Sequence, residues 1–350
     1  MTAETAGAET AGAATMDDAV HDPIRERLGT PHNGWLIVAG KEFADHLLSV
    51  RFVVLTFVLG LAAIVPLYFA ADRIRSLASD VSGAQAVFLA LFTIGGQDFQ
   101  FLEVDRFVSI VAPLLGVAFA FDAVNGERAE GTLPRLLSQP IYRDDVINGK
   151  FVAGLAVIAV VLTSVVAVIA AFGMLRLGIV PAPSEVIRVI AWLGATFLYV
   201  ALWLAFGLLL SVVLRRAATS ALIAFGSWIL ITIFGSLIVS IVAGIIAPLS
   251  SATTNEEALN LLGLQQMISR LLPSTLYEEL TLVILNPAVT GVSTPSTLGQ
   301  FVQAQQQIPS LLSLDQSLLL VWPQVVALIA LIVVCFAAAY IVFMRQEVRA

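Results

Sequence analysis

The sequence has little charge. Of 350 residues only 12% are Asp, Glu, Lys or Arg, while 59% are hydrophobic. Soluble domains carry about 25% charged residues. Lys41 and Lys150 are the only lysines, and the net charge is −7, so no nucleic-acid partner is expected. Cysteine is reduced to Cys335, inside an apolar run, which excludes a disulfide framework and a cysteine-based metal site. The three histidines, His21, His32 and His46, all precede the first long apolar run. No HExxH and no Ser–His–Asp arrangement is present, which argues against an intramembrane hydrolase or metalloprotease. The five methionines are scattered, so no thioether-rich copper path can be traced. A phosphate loop is missing too. Gly149-Lys150 is followed by Phe151 rather than Ser or Thr, and no glycine stands at the required upstream position. The chain is expected to bind no cofactor and to carry no catalytic or metal-binding residue.

What the sequence does have is long apolar runs. About 20 apolar residues cross the hydrocarbon as a helix. Six runs qualify, at about 52–71, 106–123, 151–173, 187–214, 217–247 and 318–344. The predicted fold is an all-α integral membrane protein. The stretch Ala86 to Ile94 is too short to cross and reads as a re-entrant or interfacial piece. Residues 1–34 have no apolar core and read as a disordered tail. Residues 35–50 read as an amphipathic helix, with Leu36, Phe43, Leu47 and Val50 on one side and Lys41, Glu42, Asp45 and His46 on the other. Such a helix either lies in the membrane interface or packs on the bundle. Two long segments, 72–105 and 248–317, join the first to the second and the fifth to the sixth run. In the latter, Glu256 to Leu272 reads as a helix with Leu261, Leu264, Ile268 and Leu271 turned to the bundle.

Basic residues favour one side of the membrane by about two to one when the N-terminus is placed in the cytoplasm. Both termini are then cytoplasmic, and 72–105 and 248–317 are outside. The runs carry almost no ionisable residue centrally; Asp122 and Arg106 stand at the two ends of the second. Proton-driven secondary transporters usually need an intramembrane carboxylate or histidine.

The cytoplasmic loop between the second and third runs carries the strongest local signal. Asn125-Gly126 is expected to break the second span. Thr132 is placed to cap a short helix with Pro134 in its first turn and Leu133, Leu136 and Leu137 on its apolar side. Pro140 ends it, and Asp144 or Asp145 is placed to cap the next helix. A short helix across the cytoplasmic mouth suits docking into a soluble partner. The plain alternative is a solvated turn.

The loop also resembles a family. Glu127-x-x-Glu130-Gly131-Thr132-Leu133, then Leu136-Leu137-Ser138-x-Pro140-Ile141-x-Arg143, then Gly149-Lys150, is similar to the signature of ABC transporter permeases of the type-2 exporter class. Leu272-Pro273-Ser274 and Leu285-Asn286-Pro287 resemble the subgroup with the sodium-export and nitrous-oxide-reductase maturation permeases. The resemblance implies a dimer of permeases, the same or different, that binds ATP-binding-cassette subunits and leaves ATP to them. It places Glu127, Arg128, Glu130, Gly131 and Thr132 at the start of a coupling segment. Leu133, Arg135 and Leu136 follow on its helix, and Arg143 and Lys150 stand at its return. It implies a plasma-membrane permease that performs no covalent chemistry, with a secondary transporter or a membrane-embedded scaffold or enzyme as the alternatives. Ser236, Ser240 and Gly244 recur every four residues in the fifth run, a spacing that lets helices approach closely in lipid. Ser220 and Ala224 continue the row up to Trp228. This face is expected at the dimer interface or against another span of the same chain.

Overall fold

A computed structural model describes residues 34–76, 87–93, 103–133, 141–178, 180–252, 254–287 and 312–346. The predicted tail and much of the two long connecting segments lie outside them. Every regular element among the described residues is a helix. In hydrocarbon a chain must satisfy its backbone polar groups internally, and the helix does so within one segment.

The order is α1 (Gly34–Leu47), α2 (Val50–Ser76), α3 (Val87–Thr93), α4 (Val104–Val111), α5 (Pro113–Ala120) and α6 (Asn125–Ala129). There follow α7 (Arg143–Leu177), α8 (Pro183–Val213), α9 (Ala217–Thr232), α10 (Gly235–Ile246), α11 (Asn255–Ser269), α12 (Pro273–Leu285) and α13 (Leu314–Arg345). A short 3-10 turn, Leu249–Ser251, separates α10 from α11. Five segments are long and apolar enough to cross a membrane: α2, the run from α4 through α6, α7, α8 and α13. The pair α9 and α10, bent by 53°, makes a sixth if it is one span.

The hub is α8, which packs against α13, α5, α12, α7 and α9. Its large side chains Trp192, Tyr199 and Trp203 are almost wholly buried. By contrast α2 and α13 expose apolar rows such as Val53 and Phe57, or Leu319, Val333 and Val334, which suit contact with lipid tails. The seven-residue α3 lies inside the bundle rather than on an interface: Phe88, Leu89, Leu91 and Phe92 are at most 2% exposed, and Phe92 meets Trp192 edge-on at 5.2 Å. The predicted amphipathic helix forms as α1. It packs along α7 through Val38 and Ala39, while Leu36 and Ile37 stay exposed.

Three expectations need correction. Asn125-Gly126 does not end the second span. The preceding break is a turn over 121–124, and Asn125 begins α6. The reason is tertiary: the Val124 and Asn125 amides both donate to the Ser211 hydroxyl of α8, at 2.9 and 3.2 Å. Second, the fifth run is not one straight helix, so the row of small residues is split. Ser220 and Ala224 are buried on α9, whereas Ser236, Ser240 and Gly244 are exposed on α10. Third, the leucine face of α11 turns inward only in part. Leu261 and Ile268 are half-buried, Leu264 and Leu271 are exposed, and the inward side also carries Gln265 and Gln266. Those amides answer acceptors that leucines could not: Gln265 donates to the Ala247 carbonyl at 2.7 Å and Gln266 to Glu279 at 3.1 Å.

Polar contacts gather at two opposite ends. One end joins α1, α6 and the starts or ends of α2, α7, α8 and α13. The other joins α3, α4, α11, α12 and the remaining ends of α8 and α13. There Glu185 of α8 accepts from the Phe88 amide at 2.9 Å and from its own first-turn partner Ala182 at 2.7 Å. Arg188, 4% exposed, donates to the Ile284 carbonyl at 2.8 Å, to the Ser317 hydroxyl at 3.3 Å and to the Leu312 carbonyl. The bent pair starts at the first end, after Leu214, and finishes beside α11 at the second. The pair thus runs from the first end toward the second.

Arg188 is thus the pin that fixes the segment before the last span. Arg188→Met should remove three hydrogen bonds and cost about 2 kcal/mol or more, because charged donors are worth about 1.5–3 kcal/mol each. A lower thermal midpoint of the purified protein in detergent, with Arg188→Lys intermediate, is the expected result. An unchanged midpoint for Arg188→Met would remove the pin.

Candidate functional site

The loop residues converge on one buried cation. Lys150, in the third turn of α7, is 5% exposed. Its ammonium lies 2.7 Å from Glu127 on α6 and 3.0 Å from Glu42 on α1. Lysine is rarely buried unless paired; here one charge joins both roots of the loop to the N-terminal helix. Close packing makes the reach possible. At Gly149 an added Cβ would sit 2.6 Å from Val38 and 2.9 Å from the Trp35 carbonyl, so α1 can approach α7 only over a glycine. His46, edge-on to Phe119 at 5.3 Å, completes this contact, and burial lowers its pKa below the ordinary imidazole value.

The second anchor is Gln346, just beyond α13. Its amide donates to the Val212 carbonyl at 2.9 Å and its side-chain oxygen accepts from Arg128. Its own carbonyl accepts from Arg143 at 2.8 Å, and Arg143 also lies 5.6 Å from the Phe343 ring. Arg51 and Asp122 pair at 2.6 Å beside Phe121, tying α2 to the turn before α6. The loop is thereby fastened to α1, α2, α8 and α13.

Between these anchors the chain turns outward. α6 closes with Gly131 in the left-handed region, φ 70°. The Thr132 amide reaches back to the Glu127 carbonyl at 3.0 Å and the Gly131 amide to the Arg128 carbonyl at 3.3 Å. This pair of bonds is a Schellman ending, which needs a left-handed residue at that one place. A Cβ on Gly131 meets nothing within 4 Å, so a substitution there strains only the backbone, by about 1–2 kcal/mol. The Thr132 hydroxyl also donates back to Glu127, at 3.2 Å. Its predicted cap on the following helix, with Arg135 and Leu136, falls outside the described residues. Leu133 is helical and 1% exposed. Glu130, Gly131 and Thr132 are exposed.

The resemblance put Glu127 at the start of a coupling segment and Arg143 and Lys150 at its return, and the structure brings Glu127 and Lys150 into contact. Neither Asp144 nor Asp145 caps α7. Tyr142 occupies that position, and the two aspartates fill the first turn, where negative charge suits the helix dipole. Glu42 and Gln346 were not foreseen. Glu42 follows Val38 by four residues and so shares the buried face of α1, an irregularity that an apolar-stripe reading passes over. Ser236 and Ser240 border a cavity at the opposite end, and Gly244 faces open space.

A family model described as ABC-2 family transporter protein matches residues 36–348. The chain belongs to the ABC-2 transporter family. It is a multi-pass membrane permease component of an ABC transporter, and members of this family generally pair with an ATP-binding subunit. The match begins inside α1, so Glu42 lies within the matched region of the permease. No curated protein matches the chain at a significant level.

Removing one partner from a buried ion pair costs about 3–5 kcal/mol, whereas replacing all members together is often tolerated. Lys150→Met should therefore lower the thermal midpoint of the permease sharply. Lys150→Met with Glu127→Gln and Glu42→Gln should recover a large part of the loss. A triple variant no more stable than Lys150→Met would show that the three groups are not coupled.

Proposed function

We propose that this permease is the membrane half of an ATP-driven exporter in the plasma membrane, with the 125–150 loop as its coupling element. The observation that carries the reading is the Lys150 bridge. Glu130, Gly131 and Thr132 are exposed, yet a few residues away Glu127 and Lys150 bind the loop to α1 and α7. A soluble ATPase pressing on the exposed turn would move those roots, and with them α8 and α13 through Ser211 and Gln346. ATP closure of the partner would then rock the spans between two access states, without covalent chemistry on this chain. The outer motifs Leu272-Pro273-Ser274 and Leu285-Asn286-Pro287 support the subgroup with sodium-export and nitrous-oxide-reductase maturation permeases.

The coupling role is tested by Glu130→Ala and Gly131→Val in membranes that contain the ATPase partner of the permease. Both variants should insert and fold, Gly131→Val with a loss of about 1–2 kcal/mol. Both should reduce partner copurification and stimulated ATP turnover. Full copurification and turnover with the two changes combined would return the loop to a solvated turn.

The basic-residue bias supports placing the Lys150 end and both termini in the cytoplasm. The exposed faces of Ser236, Ser240 and Gly244 support a dimer of permeases that meets along α10. One set of single cysteines in a Cys335→Ala background addresses both points. Positions Ser184 and Ser251 should react with an impermeant thiol reagent from outside, and Ala218 should not. Oxidation should crosslink two chains through Ser240 or Ser236. The reverse labelling pattern would invert the topology; normal labelling without any crosslink would move the dimer contact off α10.

A further inference from the structure

A cavity of about 840 Å³ opens at the end of the bundle opposite Lys150, between α4, α10, α11 and α12. Its lining is acidic. Glu103, Asp105, Glu278 and Glu279 border it against a single lining cation among the described residues, Arg106. Glu279 is already satisfied by Arg270 at 2.9 Å, Gln324 at 2.7 Å and Gln266 at 3.1 Å. That leaves Asp105, with Glu103 and Glu278 in electrostatic reach of it, facing one arginine. Burial raises the Glu278 and Glu103 carboxyls above the ordinary carboxylate range, so the space favours a neutralising cation.

A second, independent feature lies at the inner margin. Ser109, 2% exposed, lines the cavity. Beside it stand the wholly buried Tyr199 hydroxyl, the Thr232 hydroxyl and the Trp203 indole nitrogen. The Tyr199 hydroxyl lies within hydrogen-bonding reach of Ser109, Thr232 and Trp203, so Ser109 gives the cavity a polar inner margin that continues into the bundle.

We propose that the cavity binds an amphipathic organic cation, with its charge between Asp105 and Glu278 and its apolar body against Val239, Leu259, Leu262 and Leu282. An inorganic ion fits poorly. No three acidic or histidine groups converge to hold a metal among the described residues, and the volume is that of a site for a drug-sized molecule. Alternating carboxylate and leucine walls suit a cation whose charge is spread over a large apolar frame. Calling the bound molecule cargo rests on the transport reading; the binding itself does not, and it is measured without ATP or ATPase.

The probe is tetraphenylphosphonium, titrated into the purified full-length permease in phosphatidylcholine nanodiscs. Its anionic twin of the same shape, tetraphenylborate, serves as competitor. Saturable binding of the cation, not displaced by the borate, is expected. Asp105→Asn with Glu278→Gln should weaken it by about tenfold or more, since two partly buried charges are lost. Arg106→Gln, which removes the opposing charge, should tighten it. Lowering the pH should weaken binding as Glu278 protonates, beginning above the range of a free carboxylate. The proposal is overturned if the borate competes equally, or if both variants bind like wild type while eluting as monodisperse, folded protein. Loss of ATPase coupling with cation binding intact would sink the transport reading and leave the site standing.

Discussion

The organisation of the permease follows from one constraint: hydrocarbon offers no water to groups that need hydrogen bonds. Any polar group in it must find a partner in the protein or be moved to an end. The sequence meets this by keeping charge out of the middle of its spans. What charge remains is gathered into two belts. One holds Lys150, Glu127, Glu42, Arg143, Arg51 and Asp122. The other holds Arg188, Glu185, Arg270 and Glu279. Because little else in lipid favours one helix pairing over another, these belts set which helix ends meet. Arg188 brings α12 and α13 to α8; Lys150 brings α1 and α6 to α7. The apolar middle then packs around α8 with its three large aromatic residues.

Much of this was legible in the sequence. Apolar run length gives five of the spans directly, and α7 and α8 begin ahead of the predicted bounds by turns that carry charge, Arg143, Asp144, Asp145 and Lys150 in one and Glu185 in the other. The loop signature pointed to Glu127, Arg143 and Lys150; Glu127 and Lys150 meet, whereas Arg143 turns to Gln346 and Phe343. The illegible parts share a physical cause. The break at the 121–124 turn comes from a tertiary contact, Ser211 accepting two amides, that no local pattern encodes. Glu42 looked like a solvent-facing residue because its partner lies 108 residues away. The inward face of α11 was misread for the opposite reason. Leucines at helical spacing suggest burial, but the acceptors waiting there, Ala247 and Glu279, select glutamine. Gly131 was recognised by motif, yet its reason is the left-handed closure of α6.

The two belts differ in kind. Around Lys150 the contacts radiate to α1, α6 and α7, and Gln346 adds α8 and α13, so that end is cross-braced. At the opposite end the bracing is spread over separate groups: Arg188 ties α12 and α13 to α8, Glu185 ties α3 to α8, and Glu279 ties α11 and α13 to α12.

The 53° bend after Thr232 has a mechanical meaning. α9 belongs to the core, since it packs against α5 and α8. Beyond the bend, α10 packs mainly on α11, and α11 mainly on α10. The two form a leaf attached by a pair of short joints, at Ile233–Phe234 and at Arg270–Leu272. The far edge of the leaf is tied to α12 by a carboxylate, since Glu279 receives both Arg270 and Gln266. The bent span thus carries a panel of two helices that forms one wall of the cavity.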